Sequence, residues 1–266
     1  MIYKLELSAR EKLVSILKHD PNYLNVSAHR KAFQVMTNKL SVLFEDSLTD
    51  SQLLELILYR NVKHIVQNSF QSAKDKLEFL KKVCLHTDRF FDINFNLLGD
   101  TAKTNLVEFN HLTSRNDIID EVCNFASLSA SSSRATKPLQ TIEELLMNAQ
   151  VSAVGGRPKS IHIKSHLKVE LSDDLIAFST FDPYGSLDSK KFFKKIEAGQ
   201  VLGLDQSMNY GKGGAGVGSS LIYQNCDSLF IGVQPLKKTR VSVIMPYNVT
   251  ERKYEGIQKS VHIFTT

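Results

Sequence analysis

Between residues 53 and 66, Leu53, Leu54, Ile57, Leu58, Val62, Ile65 and Val66 recur at gaps of three and four, the spacing of a helix with one buried side. Further helices are predicted over 7–18, 28–44 and 73–84, with turn signals at Asp20-Pro21-Asn22 and from Asp46-Ser47 to Asp50-Ser51. Residues 1–87 therefore read as a small helical N-terminal region. At Phe90 the period changes. Phe91, Ile93, Phe95 and Leu97 alternate with Asp92, Asn94 and Asn96, which predicts a half-buried strand and the start of a second domain over 90–266. Helices are predicted over 115–127 and 138–152, with Pro138 in a tolerated first turn and the Ser-rich stretch 127–133 as the loop between them. Beyond the turn Gly155-Gly156-Arg157-Pro158, residues 161–170 and 175–181 read as a hairpin turning at Ser172-Asp173-Asp174. Residues 228–233 and 240–245 read as two more strands joined by a turn over 235–238. The expected fold class is α+β, a two-layer sandwich of helices on one face of a mixed, largely antiparallel sheet, preceded by the helical region.

Composition changes this picture little. In 266 residues, 42% are apolar and 23% charged, which excludes disorder and fibrous repeats. The net charge of +5, from 33 basic and 28 acidic residues, does not call for nucleic acid. Cys84, Cys123 and Cys226 are odd in number and lack a C-x-x-C pair, so neither a disulfide framework nor a zinc site is indicated, and a reducing cytoplasm fits. Charges at Lys4, Glu6, Arg10, Glu11 and Lys12 interrupt any apolar core of a signal peptide, and no membrane span is expected.

Three constellations carry chemistry. Glu144 and Asn148 are four apart on a predicted helix and project from the same side, while Ile142, Leu146 and Ala149 occupy another. An amide oxygen is a neutral hard ligand for Mg²⁺, and a carboxylate beside it can orient or deprotonate an attacking hydroxyl. The same pair also suits a plain solvent-facing side. In Phe181-Asp182-Pro183-Tyr184-Gly185, at a strand end, the carboxylate can accept the amino protons of adenine, and the glycine admits close approach. The segment equally suits a type I turn without a ligand. The strongest signal is Gly211-Lys212-Gly213-Gly214-Ala215-Gly216-Val217-Gly218-Ser219-Ser220, followed by apolar residues: exposed amides ahead of a helix start suit phosphate, with a plain flexible loop as the alternative. No strand directly precedes these glycines, so they are not a dinucleotide fingerprint, and no Lys-Ser/Thr pair follows them as in a P-loop.

Taken in order, the three segments resemble the asparagine box and the two glycine boxes of the GHKL (histidine kinase-like) ATPase superfamily, over roughly residues 90–266. The layout is closest to anti-sigma-factor serine kinases. The resemblance implies Glu144 as general base or water-positioning residue, Asn148 as magnesium ligand and Asp182 as the adenine-reading carboxylate beside Gly185. Lys212, Gly214, Gly216 and Gly218 would meet the phosphates, and Thr239 would support the adenine pocket from a closing strand over 239–246. Residues 186–213 would be a lid, whose Lys190, Lys191, Lys194 and Lys195 surround Phe192, Phe193 and Ile196 in a short amphipathic helix. Those lysines suit phosphate, an acidic partner or plain solvent. The family usually spaces its first-box glycine two residues after the aspartate, whereas Gly185 is three after Asp182.

The resemblance implies ATP and Mg²⁺ as cofactors and a regulatory ATP-binding protein of bacterial signalling that transfers the γ-phosphoryl group to a protein serine. The absence of a His-Glu-x-x-Arg-like acceptor near His19, His29, His64 and His86 speaks against a full sensor kinase. The alternative is a non-catalytic, nucleotide-gated interaction module; an ATP-driven dimer clamp ranks last. Expected partners are ATP and a regulatory protein, with a homodimer as an option and nucleic acid not expected.

Overall fold

A computed structural model describes residues 25–27, 41–44, 48–67, 69, 71, 75, 76, 80, 87–129, 131–152, 162–202 and 217–265. In chain order these form β1 (Asn25–Ser27), β2 (Ser41–Phe44), α1 (Asp50–Arg60), β3 (His64–Val66), the short α2 (Thr87–Phe90), β4 (Lys103–Phe109), α3 (Arg115–Ala126) and α4 (Thr136–Met147). There follow β5 (Ser165–Leu171), β6 (Leu175–Asp182), α5 (Ser189–Leu202), α6 (Val217–Asn225), β7 (Ser228–Gln234), β8 (Lys238–Pro246) and β9 (Ser260–Thr265). The strands make one sheet in the order β1-β2-β3-β9-β7-β8-β6-β5-β4. Its pairings are antiparallel except β1–β2, β2–β3 and β7–β9, so the fold is the expected α+β two-layer sandwich.

Strand alternation sorts each strand between two environments. On one side, Phe178 of β6, Ile231 of β7 and Val243 of β8 pack with Leu54, Val122, Ile142, Leu145, Phe193 and Ile222, the buried stripes of α1, α3, α4, α5 and α6. On the other, Ala177, Phe230, Ile244 and Phe264 pack with Phe90 at the end of α2 and with Phe91 and Leu97 from the segment that follows it. Among the described residues no helix is long and apolar enough to cross a membrane.

Three predicted elements differ. The helix expected over 53–66 stops at Arg60, because Asn61 turns left-handed (φ 54°) and its N–H bonds back to Leu56. The chain then enters β3, where Ile65 joins the helix-side core and Val66 the other one. The apolar spacing that looked helical thus covers two elements. Of the helix expected over 28–44, residues 41–44 are a strand, and the rest lies outside the described residues, as do the helix over 7–18, most of 73–84 and the turn 155–158. The strand expected at 91–97 is a run of turns. Asp92 accepts the Asn94 N–H at 2.9 Å, and Lys168 Nζ donates to the carbonyls of Ile93 (2.8 Å) and Phe95 (3.3 Å). A lysine more than seventy residues away thus satisfies the backbone that a neighbouring strand would otherwise have paired.

The sheet continues past the boundary expected at 87–90. His64 and Ile65 of β3 pair with His262 and Val261 of β9. Fully buried Lys76 Nζ meets Asp227 at 2.8 Å, and the carboxylate also takes hydrogen bonds from the hydroxyls of Ser69 and Ser228. Tyr223 of α6 donates to Asp50, at the start of α1, at 2.9 Å.

Candidate functional site

The site grows from the register of β6 against β8. Asp182 pairs with Thr239 and Thr180 with Val241, and two-residue steps along each strand put all four side chains on the helix-covered side. Together they line a cavity of about 260 Å³. Asn148 and Ala149 wall it after α4, Asp188, Lys191, Phe192 and Lys195 from α5 and the turn before it, and Ser219 from the start of α6.

Asn148 stands where α4 changes pitch. Its N–H is shared between the carbonyls of Glu144 and Leu145, and residues Asn148–Ser152 continue as a π-turn. Such turns rotate the side chains that follow and are frequent at functional sites. One turn earlier, Glu144 lies against α6: a methyl group on Gly218 would stand 1.9 Å from its Oε2. The carboxylate end of Glu144 fills the space a side chain at 218 would need, which accounts for glycine there. Burial raises the Glu144 pKa, the neighbouring Glu143 raises it further, and Arg115 opposes both.

Asp182 is buried, and its Oδ1 accepts the Tyr184 N–H at 2.9 Å, so it caps its own turn while lining the cavity. Asp182 thus closes a local side-chain-to-backbone turn and lines the cavity at once. Thr239, opposite it, is 2% exposed, and its Oγ1 has no hydrogen-bond partner among the described residues. A buried hydroxyl without a partner costs about 1–3 kcal/mol, and Thr239 holds its own against the cavity.

Gly185 stands outside the cavity lining. It has φ 57°, and a methyl there would come within 2.1 Å of the Gln234 carbonyl oxygen and 2.7 Å of the Lys237 nitrogen. The β7–β8 turn packs onto its bare backbone, and Leu236 N–H bonds to its carbonyl at 3.2 Å. Lys212, Gly214 and Gly216 lie outside the described residues. A helix does begin within that segment, as α6 at Val217, so Gly218 stands in its first turn.

The structure thus brings together Asn148, Asp182 and Thr239 in one cavity, with Glu144 and Gly218 in contact beside it. Sequence reasoning missed Thr180, Val241 and Ser219 as lining residues. Thr180 and Val241 were legible only through the cross-strand register, whereas Ser219 directly follows a flagged glycine. Among the described residues no cluster of three or more His, Cys, Asp or Glu side chains could hold a metal ion by itself. No model of a known protein family and no curated protein matches this chain.

Proposed function

We propose that this chain is a regulatory ATP-binding protein whose cavity takes the nucleotide with Mg²⁺, and that it transfers the γ-phosphoryl group to a protein hydroxyl. The observation that carries the reading is the convergence of Asn148, Asp182 and Thr239, from three distant segments, on one cavity with a buried hydroxyl lacking a partner. A carboxylate and a hydroxyl side by side suit an amino-substituted heterocycle, because the carboxylate can only accept and the hydroxyl can donate or accept. The cavity volume lies just below the usual range for small-molecule sites, about 300–1,000 Å³.

Asn148 would supply an amide oxygen for magnesium, an ion that ordinarily takes few protein ligands. When bound, the metal polarises the triphosphate toward transfer. Glu144 is the base. Its pKa, raised by burial, moves toward neutral pH, where a base both holds the right protonation state and retains driving force for taking a proton. Its contact with Gly218 keeps that carboxylate at the amino-terminal end of α6, the helix end that favours anions.

Calorimetric titration with ATP and Mg²⁺ tests the reading directly. Wild-type binding that weakens by about tenfold or more in Asp182→Asn supports it, since that swap gives the acceptor a donating face. No binding by the wild type overturns it. Glu144→Gln should bind ATP while yielding neither ADP nor phosphoprotein. Binding without turnover in the wild type itself would select the non-catalytic interaction module.

A further inference from the structure

Four lysines punctuate α5, but the helix treats them as two pairs. Lys191 and Lys195, four residues apart and hence on one side, line the cavity; Lys190 and Lys194 do not. The inner side of α5 is fixed, with Phe193 and Ile196 fully buried, and the Tyr59 hydroxyl bonds to Glu197 at 3.1 Å. The two cavity lysines are therefore carried by a packed helix rather than by a loop.

We propose that Lys191 and Lys195 form the phosphate-binding wall of the cavity, which makes it select nucleoside polyphosphates over nucleosides. The inference rests on the nucleotide reading above and adds the orientation and charge class of the ligand. Lys191 is held only by Asp188, at 3.9 Å with both side chains well exposed, a pairing worth little and given up easily. Lys195 has no ion-pair partner among the described residues. On the floor, the buried Asp182 carboxylate repels anions, whereas on the α5 side the exposed Asp188 carboxylate is outnumbered by Lys191 and Lys195. A ligand with a neutral heterocycle and an anionic tail lowers its energy in one orientation, with the ring over Asp182 and Thr239 and the tail against α5.

The test uses the full chain and two double variants, Lys191→Ala with Lys195→Ala and Lys190→Ala with Lys194→Ala, titrated with MgATP, adenosine and inorganic tripolyphosphate. The first should bind MgATP about tenfold or more weakly, bind adenosine as the wild type does, and show a flatter salt dependence. The second, which removes equal charge outside the cavity, should match the wild type. Arginine at 191 and 195 should restore binding. Equal losses in both double variants, or no loss in the first, overturn the proposal. Wild-type binding of tripolyphosphate but not ATP, abolished only by the first double variant, would keep the lysine wall and reject the adenine reading. A wild type that binds none of the three probes rejects both.

Discussion

Thr239 and Arg240 are neighbours on β8 and equally cut off from water, yet their polar groups meet opposite fates. Thr239 faces the helices with a hydroxyl that bonds to nothing described. Arg240 faces the other way, and each nitrogen of its guanidinium has a partner: it donates to the Phe90 carbonyl at 2.7 Å, Ser242 Oγ at 2.9 Å and Ser179 Oγ at 3.1 Å. It lies over the Phe90 and Phe181 rings at 4.7 and 4.6 Å, with Glu170 at 4.0 Å. Burial lowers its pKa, while Glu170 and Asp92 hold the cation in place. The difference is one of side: on the Phe90 side each guanidinium nitrogen is answered inside the chain, whereas on the helix side the Thr239 hydroxyl is left open to the cavity.

The comparison breaks most visibly at Arg240. Arg240→Met removes the nearby guanidinium from buried Glu170 and takes the donor from the Phe90 carbonyl, so thermal denaturation should show a loss of about 3–5 kcal/mol, on the order of 10 °C in Tm. An unchanged Tm would mean the cation is dispensable.

The same face holds a second polar pair that is not saturated. His64 and His262 stack at 5.8 Å across the β3–β9 pairing, with Phe230 and Phe264 against them. Burial, reinforced by Lys63, pushes His64 down to about 3; burial, His64 and Lys76 push His262 well below its ordinary value. Between the ordinary value of 6.5 and the folded one, the unfolded chain binds protons that the native chain does not, so stability falls as pH falls. Each histidine contributes a slope of up to about 1.4 kcal/mol per pH unit in that window. Denaturant melts from pH 7 to 4 should show the decline, and His262→Phe should flatten it. An identical slope in the variant would remove the histidines from the account.

Smaller again is Gly185→Ala, which joins a positive φ to an overlap with the β7–β8 turn backbone and should cost at least about 1 kcal/mol by the same melts. The smallest effect on stability sharpens the contrast most. Thr239→Val removes an orphan hydroxyl rather than a partnered one, so Tm should hold or rise, within about 0.5 kcal/mol, while ATP affinity falls. A Tm loss like that of Arg240→Met would mean the hydroxyl is structural.

Much of the fold was legible because its elements carry one-sided patterns. The helices near 115–126 and 136–147, the hairpin ending at Asp182 and the pair β7–β8 each bury one face or follow clear turn chemistry. β3 was lost inside a helical pattern because its residues are buried on both sides, which erases alternation. In the turns at 91–97 the alternation is present, but the Lys168 side chain, not a strand, takes the carbonyls.

At the site, sequence named the residue types and their local spacing: Glu144 four before Asn148, Asp182 at a strand end, glycines ahead of a helix, Thr239 on a closing strand. Spacing fixes the first three, because helix and strand geometry is local, whereas Thr239 is named only by the family resemblance. It could not say which lysines of α5 face the cavity, that Gly185 serves the β7–β8 turn, or that Glu144 lies against Gly218. Those outcomes depend on register and packing between segments far apart in the chain. Only the folded chain decides whether a buried polar group finds a partner, and that decision sets Thr239 apart from Arg240.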